Sequence, residues 1–175
     1  RDKIEIPQRF TVLFVGRLIE KKGVGILLEI AKELKDINFI FVGDGPLEQE
    51  LKLASVKYHN IFAVGRKNPQ EIPVYYGSAD IGVLPSLYEE GFARVTLETL
   101  SCGRPVIVAN KGCFPGMINN DVGILVDPTK ENIKEKIIFL YKNQGELNRL
   151  TRNCRQYALV HFSENNAKHI EDAYF

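Results

Sequence analysis

Two carboxylates, Glu90 and Glu98, stand eight positions apart in the stretch Pro85-Ser86-Leu87-Tyr88-Glu89-Glu90-Gly91-Phe92-Ala93-Arg94-Val95-Thr96-Leu97-Glu98. The preceding run, Asp80-Ile81-Gly82-Val83-Leu84, is apolar and short, as in a buried strand. After Gly91-Phe92 the spacing predicts a helix, with Val95, Leu97, Leu100 and Cys102 as its apolar face. One acid therefore lies in the loop and the other in the first turns of a helix. A helix N-terminus carries unpaired N–H groups and partial positive charge, which suits a phosphate. Two readings stay open at this point. Either the helix start seats a phosphate with the two acids beside it, or Glu90 solvates a loop and Glu98 pairs with Arg94 one turn earlier.

A second cluster bears on the choice. Thr11-Val12-Leu13-Phe14-Val15 is another buried-strand run, and it ends in Gly16-Arg17-Leu18-Ile19-Glu20-Lys21-Lys22-Gly23. Cations thus sit between the first strand and a helix expected from Val24 to Leu34. The strands expected next are Phe39–Val42, Asn60–Val64 and Ile81–Leu84. In an open parallel sheet of the usual order, the first and fourth strands are neighbours and ligands bind at their carboxyl ends. Cations and a free helix N-terminus then meet in one crevice, suited to a diphosphate. Arg17 is the leading diphosphate contact, because a guanidinium forks onto phosphate oxygens. The alternative is a surface arginine paired with Glu20.

The rest of the chain continues the alternation. Helices are expected at Pro46–Val56 and Pro69–Tyr76, and strands at Arg104–Ala109 and Gly123–Val126. Thr129 can cap a helix over Thr129–Asn143, followed by helices at Gly145–Val160 and Ser163–Phe175. Six strands alternating with helices imply an α/β fold, a doubly wound parallel sheet with helices on both faces and a helical C-terminal tail.

Composition narrows the classes. The chain has 175 residues, 45% of them hydrophobic and 26% charged, which fits a single domain with a real core. A formal net charge of +1 argues against a general nucleic-acid binder. No apolar run approaches a membrane span. Cys102, Cys113 and Cys154 lack metal-type pairing, and His59, His161 and His169 are scattered, so no metal site is expected. No Gly-x-Gly-x-x-Gly follows the first strand, which disfavours a nicotinamide-binding oxidoreductase.

Several motifs, in order and in register from about Phe10 to Pro128, carry a family resemblance. They are Gly16-Arg17-Leu18 with Lys22-Gly23, Gly43-Asp44-Gly45-Pro46-Leu47, Glu90-Gly91-Phe92 through Glu98, and Ser101-Cys102-Gly103-Arg104-Pro105-Val106-Ile107. Together they resemble the carboxy-terminal, donor-binding domain of retaining glycosyltransferases of family 4. That family has the two-domain GT-B fold, with Rossmann-like halves, and uses nucleotide-diphosphate sugars. The resemblance implies that residues 1–175 form a single nucleotide-sugar-binding domain, an excised half whose amino-terminal acceptor domain is absent and which alone catalyses little. It places Arg17 and Lys22 on the diphosphate and Glu90 near the transferring carbon as the catalytic set. Donor-binding roles fall on Gly16, Gly91, Phe92, Ala93, Arg94, Val95, Thr96 and Glu98, the last accepting from the ribose hydroxyls. Gly65 and Arg66 take the base. Lys21 competes with Lys22 on spacing, but Lys22 directly precedes the glycine as in the pattern. Leu84-Pro85 and Tyr88 read as packing residues.

The resemblance further implies no cofactor and no metal, the cations taking the metal's place, and a cytoplasmic protein, at the membrane's cytoplasmic face in full-length form. The acceptor would be a glycan or a lipid-linked sugar, and the donor guanosine-diphosphate mannose. The alternatives are a glycogen or starch synthase-like glucosyltransferase domain and a non-catalytic nucleotide-sugar-binding module. The first would differ in donor preference; the second would bind donor without turnover even with an amino-terminal half restored. Two departures stand out. Ala93 replaces a usual glycine, and Gly112-Cys113-Phe114-Pro115-Gly116 replaces Gly-Gly-x-Pro-Glu, so no contact is assigned to that loop.

Overall fold

Thr11–Val15 forms strand β1, with all five residues buried, as expected of a strand covered on both faces. A computed structural model describes residues 6–162; the helix expected at Ser163–Phe175 lies outside the described residues. Strands β2 (Asn38–Val42), β3 (Ile61–Gly65), β4 (Ile81–Leu84), β5 (Val106–Ala109) and β6 (Gly123–Val126) complete a six-stranded sheet ordered β3-β2-β1-β4-β5-β6. All its pairings are parallel. Between the strands run helices α1 (Val24–Glu33), α2 (Glu48–Lys57), α3 (Ile72–Ser78), α4 (Arg94–Ser101) and the short α5 (Phe114–Met117), with α6 (Lys130–Lys142) and α7 (Gln144–Phe162) after β6.

Side-chain alternation along the strands sorts the core into two layers. Val12 and Phe14 of β1 pack with Phe39 and Phe41 of β2 against Leu27, Leu28 and Ile30 of α1 and Ile133 and Ile137 of α6. Leu13, Val15, Ile40 and Val42, pointing the other way, pack against Tyr76 of α3 and Ala79. Further along that face, Leu84, Val106 and Val108 meet Leu100 of α4 and Cys154 and Ala158 of α7. Each fully buried Phe or Leu contributes about 1.5–3 kcal/mol, so both layers hold the sheet firmly.

Differences from the expected boundaries have local causes. Asn60 sits outside β3 because its side-chain amide donates to the carbonyls of Ala31, Leu34 and Ile37 at 2.9, 3.1 and 3.0 Å. Arg104 and Pro105 precede β5, since proline brings no N–H to a ladder; the Pro105 carbonyl still accepts from Gly82 N at 2.9 Å. α2 starts two residues after Pro46, beyond a turn closed by Glu48 N to Gly45 O at 3.0 Å. α3 starts after a turn in which Glu71 N donates to Asn68 O. Thr129 caps α6 as expected, its hydroxyl accepting from Asn132 N at 3.3 Å. On α4, Thr96, Thr99 and Leu100 are the buried residues, while Val95 and Leu97 are half-buried and Cys102 follows the last turn.

Candidate functional site

β1 and β4 are hydrogen-bonded neighbours, and beyond them the strand order departs in opposite directions. The loops leaving their carboxyl ends therefore flank the switch point where open parallel sheets bind ligands. The β1 loop, residues 16–23, contains a 3-10 turn at Glu20–Lys22 and is bonded on both sides. Toward β2, Leu18 N donates to Asp44 O at 2.7 Å and Leu47 N to Leu18 O at 3.0 Å. Toward β4, Leu87 N donates to Lys21 O at 2.8 Å. Gly23 lies against Pro85, so close that a Cβ on Gly23 would come within 2.2 Å of the Pro85 carbonyl oxygen. This glycine serves the contact between the two loops as well as the start of α1.

The two loops meet in one polar cluster. Lys22 Nζ lies 2.5 Å from Glu90 Oε1, and Ser86 Oγ donates to the same oxygen at 2.6 Å. Tyr88 OH donates to Glu90 Oε2 at 2.9 Å, and the Lys22 ammonium sits 5.3 Å from the Tyr88 ring centroid. Glu90 is only 8% exposed, so each carboxylate oxygen is hydrogen-bonded inside the fold. Burial opposes its charge, but the bonds from Lys22, Ser86 and Tyr88 outweigh it and hold the carboxyl below its usual range. For Lys22 burial likewise works against the charge, and Glu90 and Tyr88 reverse it, raising the ammonium above its ordinary value.

The signs of these shifts set a pH window. Glu90's contribution to stability is present above the ordinary carboxylate value, about 4.3, and is lost as pH falls through its lower folded value. Lys22's is present below about 10.4 and is lost as pH rises through its raised folded value. Glu90→Gln is therefore expected to destabilise the fold by about 2 kcal/mol at neutral pH. Urea denaturation from pH 3 to 11 should show the difference from wild type level across the middle and shrinking at both ends.

A third loop holds Glu90 from behind. Cys113 N donates to Glu90 O at 2.9 Å, and Gly112, at φ +58°, packs where a Cβ would lie 2.6 Å from Glu90 N. This is the loop, between β5 and α5, to which the sequence assigned no contact. It supports the Glu90 backbone and needs neither the second glycine nor the acid of the family pattern to do so.

The remaining expected residues are placed as follows. The Arg17 side chain is exposed on the β1 loop with no hydrogen bond or ion pair among the described residues, while its backbone carbonyl accepts from Ile19 N at 3.0 Å. The alternative Arg17–Glu20 pair is not formed, because the Glu20 carboxylate lies over Gly25 in the first turn of α1. Gly16 donates through its backbone to Val42 O at 3.0 Å. Gly91 and Phe92 are exposed, Phe92 at 60%, and Ala93 is buried at φ −100°, a conformation open to any residue. Thr96 N is committed to Ala93 O at 2.9 Å, and its buried hydroxyl has no partner among the described residues. Arg94 and Val95 open the first turn of α4, Val95 half-buried and Arg94 exposed. No Arg94–Glu98 ion pair exists among the described residues; Glu98 Oε2 instead accepts from Tyr76 OH at 2.7 Å. Gly65 ends β3, and the exposed Arg66 reaches Asp44 Oδ2 at 3.4 Å.

Contacts thus join Lys22 to Glu90 directly, whereas Glu98 and Arg94 line a separate groove of about 560 Å³ between α3 and α4. Its walls include Pro69, Ile72, Pro73 and Leu97. Sequence reasoning missed Ser86, Tyr76 and the loop at Gly112, and took Tyr88 for packing. The signal for Ser86 and Tyr88 is their position four and two residues before the buried acid; for Tyr76 and Gly112 only the tertiary fold provides it. Among the described residues no group of three or more His, Cys, Asp or Glu could hold a metal ion, and no helix is long and apolar enough to cross a membrane.

A doubly wound sheet with a cation and carboxylate cluster at its switch point is compatible with many ligand classes, and comparison with known proteins is specific. The family profile described as "Glycosyl transferases group 1" matches residues 1–157. The chain belongs to that family. An uncharacterized glycosyltransferase of Methanocaldococcus jannaschii is 32% identical over 150 residues, covering 83% of this chain and 42% of that protein. The amylovoran biosynthesis glycosyltransferase AmsK of Erwinia amylovora is 32% identical over 158 residues, covering 83% of this chain and 38% of its own. The chain therefore spans less than half the length of these relatives. Among solved structures, Anabaena HepE in complex with UDP and glucose superposes with a TM-score of 0.84 at 21% identity, over 99% of this chain and 50% of HepE. That likeness establishes the fold, a Rossmann-like doubly wound α/β sheet of the kind GT-B glycosyltransferases contain.

Proposed function

We propose that this chain is the donor-binding half of a retaining glycosyltransferase of family 4, taking a sugar nucleoside diphosphate as donor. The observation that carries the reading is the arrangement at the β1–β4 switch point. There Lys22 and the buried Glu90 are held together, beside a loop that presents Arg17 without a partner among the described residues. A free guanidinium, an ammonium and the first turn of α4 supply positive charge where a diphosphate would sit.

In the proposed reaction the difficult event is departure of the nucleoside diphosphate, leaving an oxocarbenium-like sugar. Arg17, Lys22 and the N–H groups opening α4 stabilise the charge that grows on the leaving group, an electrostatic effect prepared before the reaction starts. Glu90, fixed by Ser86, Tyr88 and the Gly112 loop, lies beside the sugar and offsets positive charge there. The acceptor attacks from the face that the leaving group vacates, so configuration is retained without a protein nucleophile. Glu98 holds the ribose, because a carboxylate accepts from a diol. Acceptor binding, to a glycan or lipid-linked sugar, falls to an amino-terminal half. The donor reading carried from the sequence is guanosine-diphosphate mannose, set against the UDP that HepE holds.

Calorimetric titration of the chain with guanosine, uridine and adenosine diphosphates tests this reading. Saturable binding of one nucleotide is expected, and Glu98→Ala should weaken it about tenfold, the effect of losing a charged hydrogen bond. Guanosine diphosphate is the expected ligand; preference for uridine diphosphate would replace the mannose reading, and binding of none would overturn the proposal.

A further inference from the structure

Tyr76 is 2% exposed and its ring is packed among Leu13, Val15, Ile40 and Val42, in the core layer beneath α3. Its hydroxyl nevertheless reaches out of that layer to donate to Glu98 Oε2 at 2.7 Å, on the wall of the groove between α3 and α4. It is the one hydrogen bond to the Glu98 side chain among the described residues. Glu98 is otherwise an exposed side chain on a helix surface, free to take many rotamers. A rigid phenol anchored in the core removes that freedom before a ligand arrives, which favours binding. It uses one carboxylate oxygen and leaves Oε1 with no partner among the described residues.

We infer that Tyr76 is a positioning residue for nucleotide recognition: it holds Glu98 so that the free carboxylate oxygen meets the ribose hydroxyls. This rests on the assignment of Glu98 to the ribose made above. Burial, and then the neighbouring Glu98, push the Tyr76 hydroxyl above its ordinary value, so it remains a donor through the working pH range. Tyr76→Phe keeps the ring that fills the core and removes only the donor.

The test compares guanosine and uridine diphosphates with their 2′,3′-dideoxy counterparts by calorimetry, on wild type, Tyr76→Phe, Glu98→Ala and the double variant. Melting curves confirm that each is folded. Wild type is expected to prefer the ribonucleotide by about tenfold over the dideoxy form, from the lost charged hydrogen bond. Tyr76→Phe should remove most of that preference, leave dideoxy binding unchanged, and add nothing to Glu98→Ala in the double variant. Full preference retained in Tyr76→Phe, with Glu98→Ala losing it, overturns the inference and leaves the ribose assignment standing. Equal weakening of both forms by Tyr76→Phe shows a structural role only and also overturns it. No ribose preference in wild type, or no binding at all, removes the Glu98 assignment and this inference with it.

Discussion

Arg17→Ala is expected to weaken nucleoside-diphosphate binding by about a hundredfold, the loss of a two-pronged charged contact. The expectation follows from where the residue stands and from what it does not do. Arg17 leaves the carboxyl end of β1, and its exposed side chain has no hydrogen bond or ion pair among the described residues. The candidate competitor, Glu20, is turned toward α1. A guanidinium with no structural task can be removed without a structural penalty, so the melting temperature should stay within about a degree of wild type. Arg17→Lys should recover part of the affinity, since an ammonium supplies charge without the planar fork. Lys22 is a different case, because its ammonium already has Glu90 as partner at 2.5 Å. A diphosphate must share it with that carboxylate, and Lys22→Ala would leave Glu90 buried and uncompensated. Arg17 is therefore the cleaner probe of the anion site. Unchanged affinity in Arg17→Ala would place the diphosphate elsewhere.

The second large effect is structural. Gly23→Ala is expected to destabilise the fold by about 2–5 kcal/mol, combining a left-handed backbone with overpacking. Gly23 lies at φ +74°, and its added Cβ would meet the Pro85 carbonyl oxygen at 2.2 Å and Pro85 Cγ at 2.8 Å. Both partners are main chain or ring, and neither can swing aside. Relief requires the β1 and β4 loops to part, which also pulls Lys22 from Glu90. Urea denaturation should show the loss of stability, and calorimetry a loss of nucleotide binding in whatever remains folded. Gly91→Ala is the matched control. Nothing lies within 4 Å of a Cβ built there, so its stability should match wild type.

How much of this was legible in the sequence depends on the range of the interaction. The five-residue run of β1 and the four-residue run of β4 stand out because both faces are buried and every position is apolar or nearly so. Parallel strand order follows from alternation with helices, and with it the meeting of the β1 and β4 loops. Arg17 could be named from its place at a strand end, whereas the choice of Lys22 over Lys21 and of Glu90 over Glu89, and the ribose role of Glu98, came from the family resemblance. What fixes the two acids was not legible. Tyr76 reaches Glu98 from α3, and Gly112 and Cys113 reach Glu90 from the loop after β5, 22 residues along the chain. A tyrosine in an apolar stretch and a glycine in a turn look the same whether or not they serve a site. Arg94–Glu98, which helical spacing alone allows, is not formed among the described residues, where the Glu98 side chain accepts from Tyr76 OH instead.

The central claim is that the diphosphate lies at the β1–β4 switch point, and amide mapping by NMR tests it most directly. The chain, isotopically labelled, is titrated with the nucleoside diphosphate that binds tightest. The account predicts the largest shifts at the amides of Gly16 to Gly23 and of Gly91 to Glu98, with Arg66 following if the base lies beside β3. Large shifts confined to the opposite end of the sheet, at Arg9, Lys35 and His59, would contradict it.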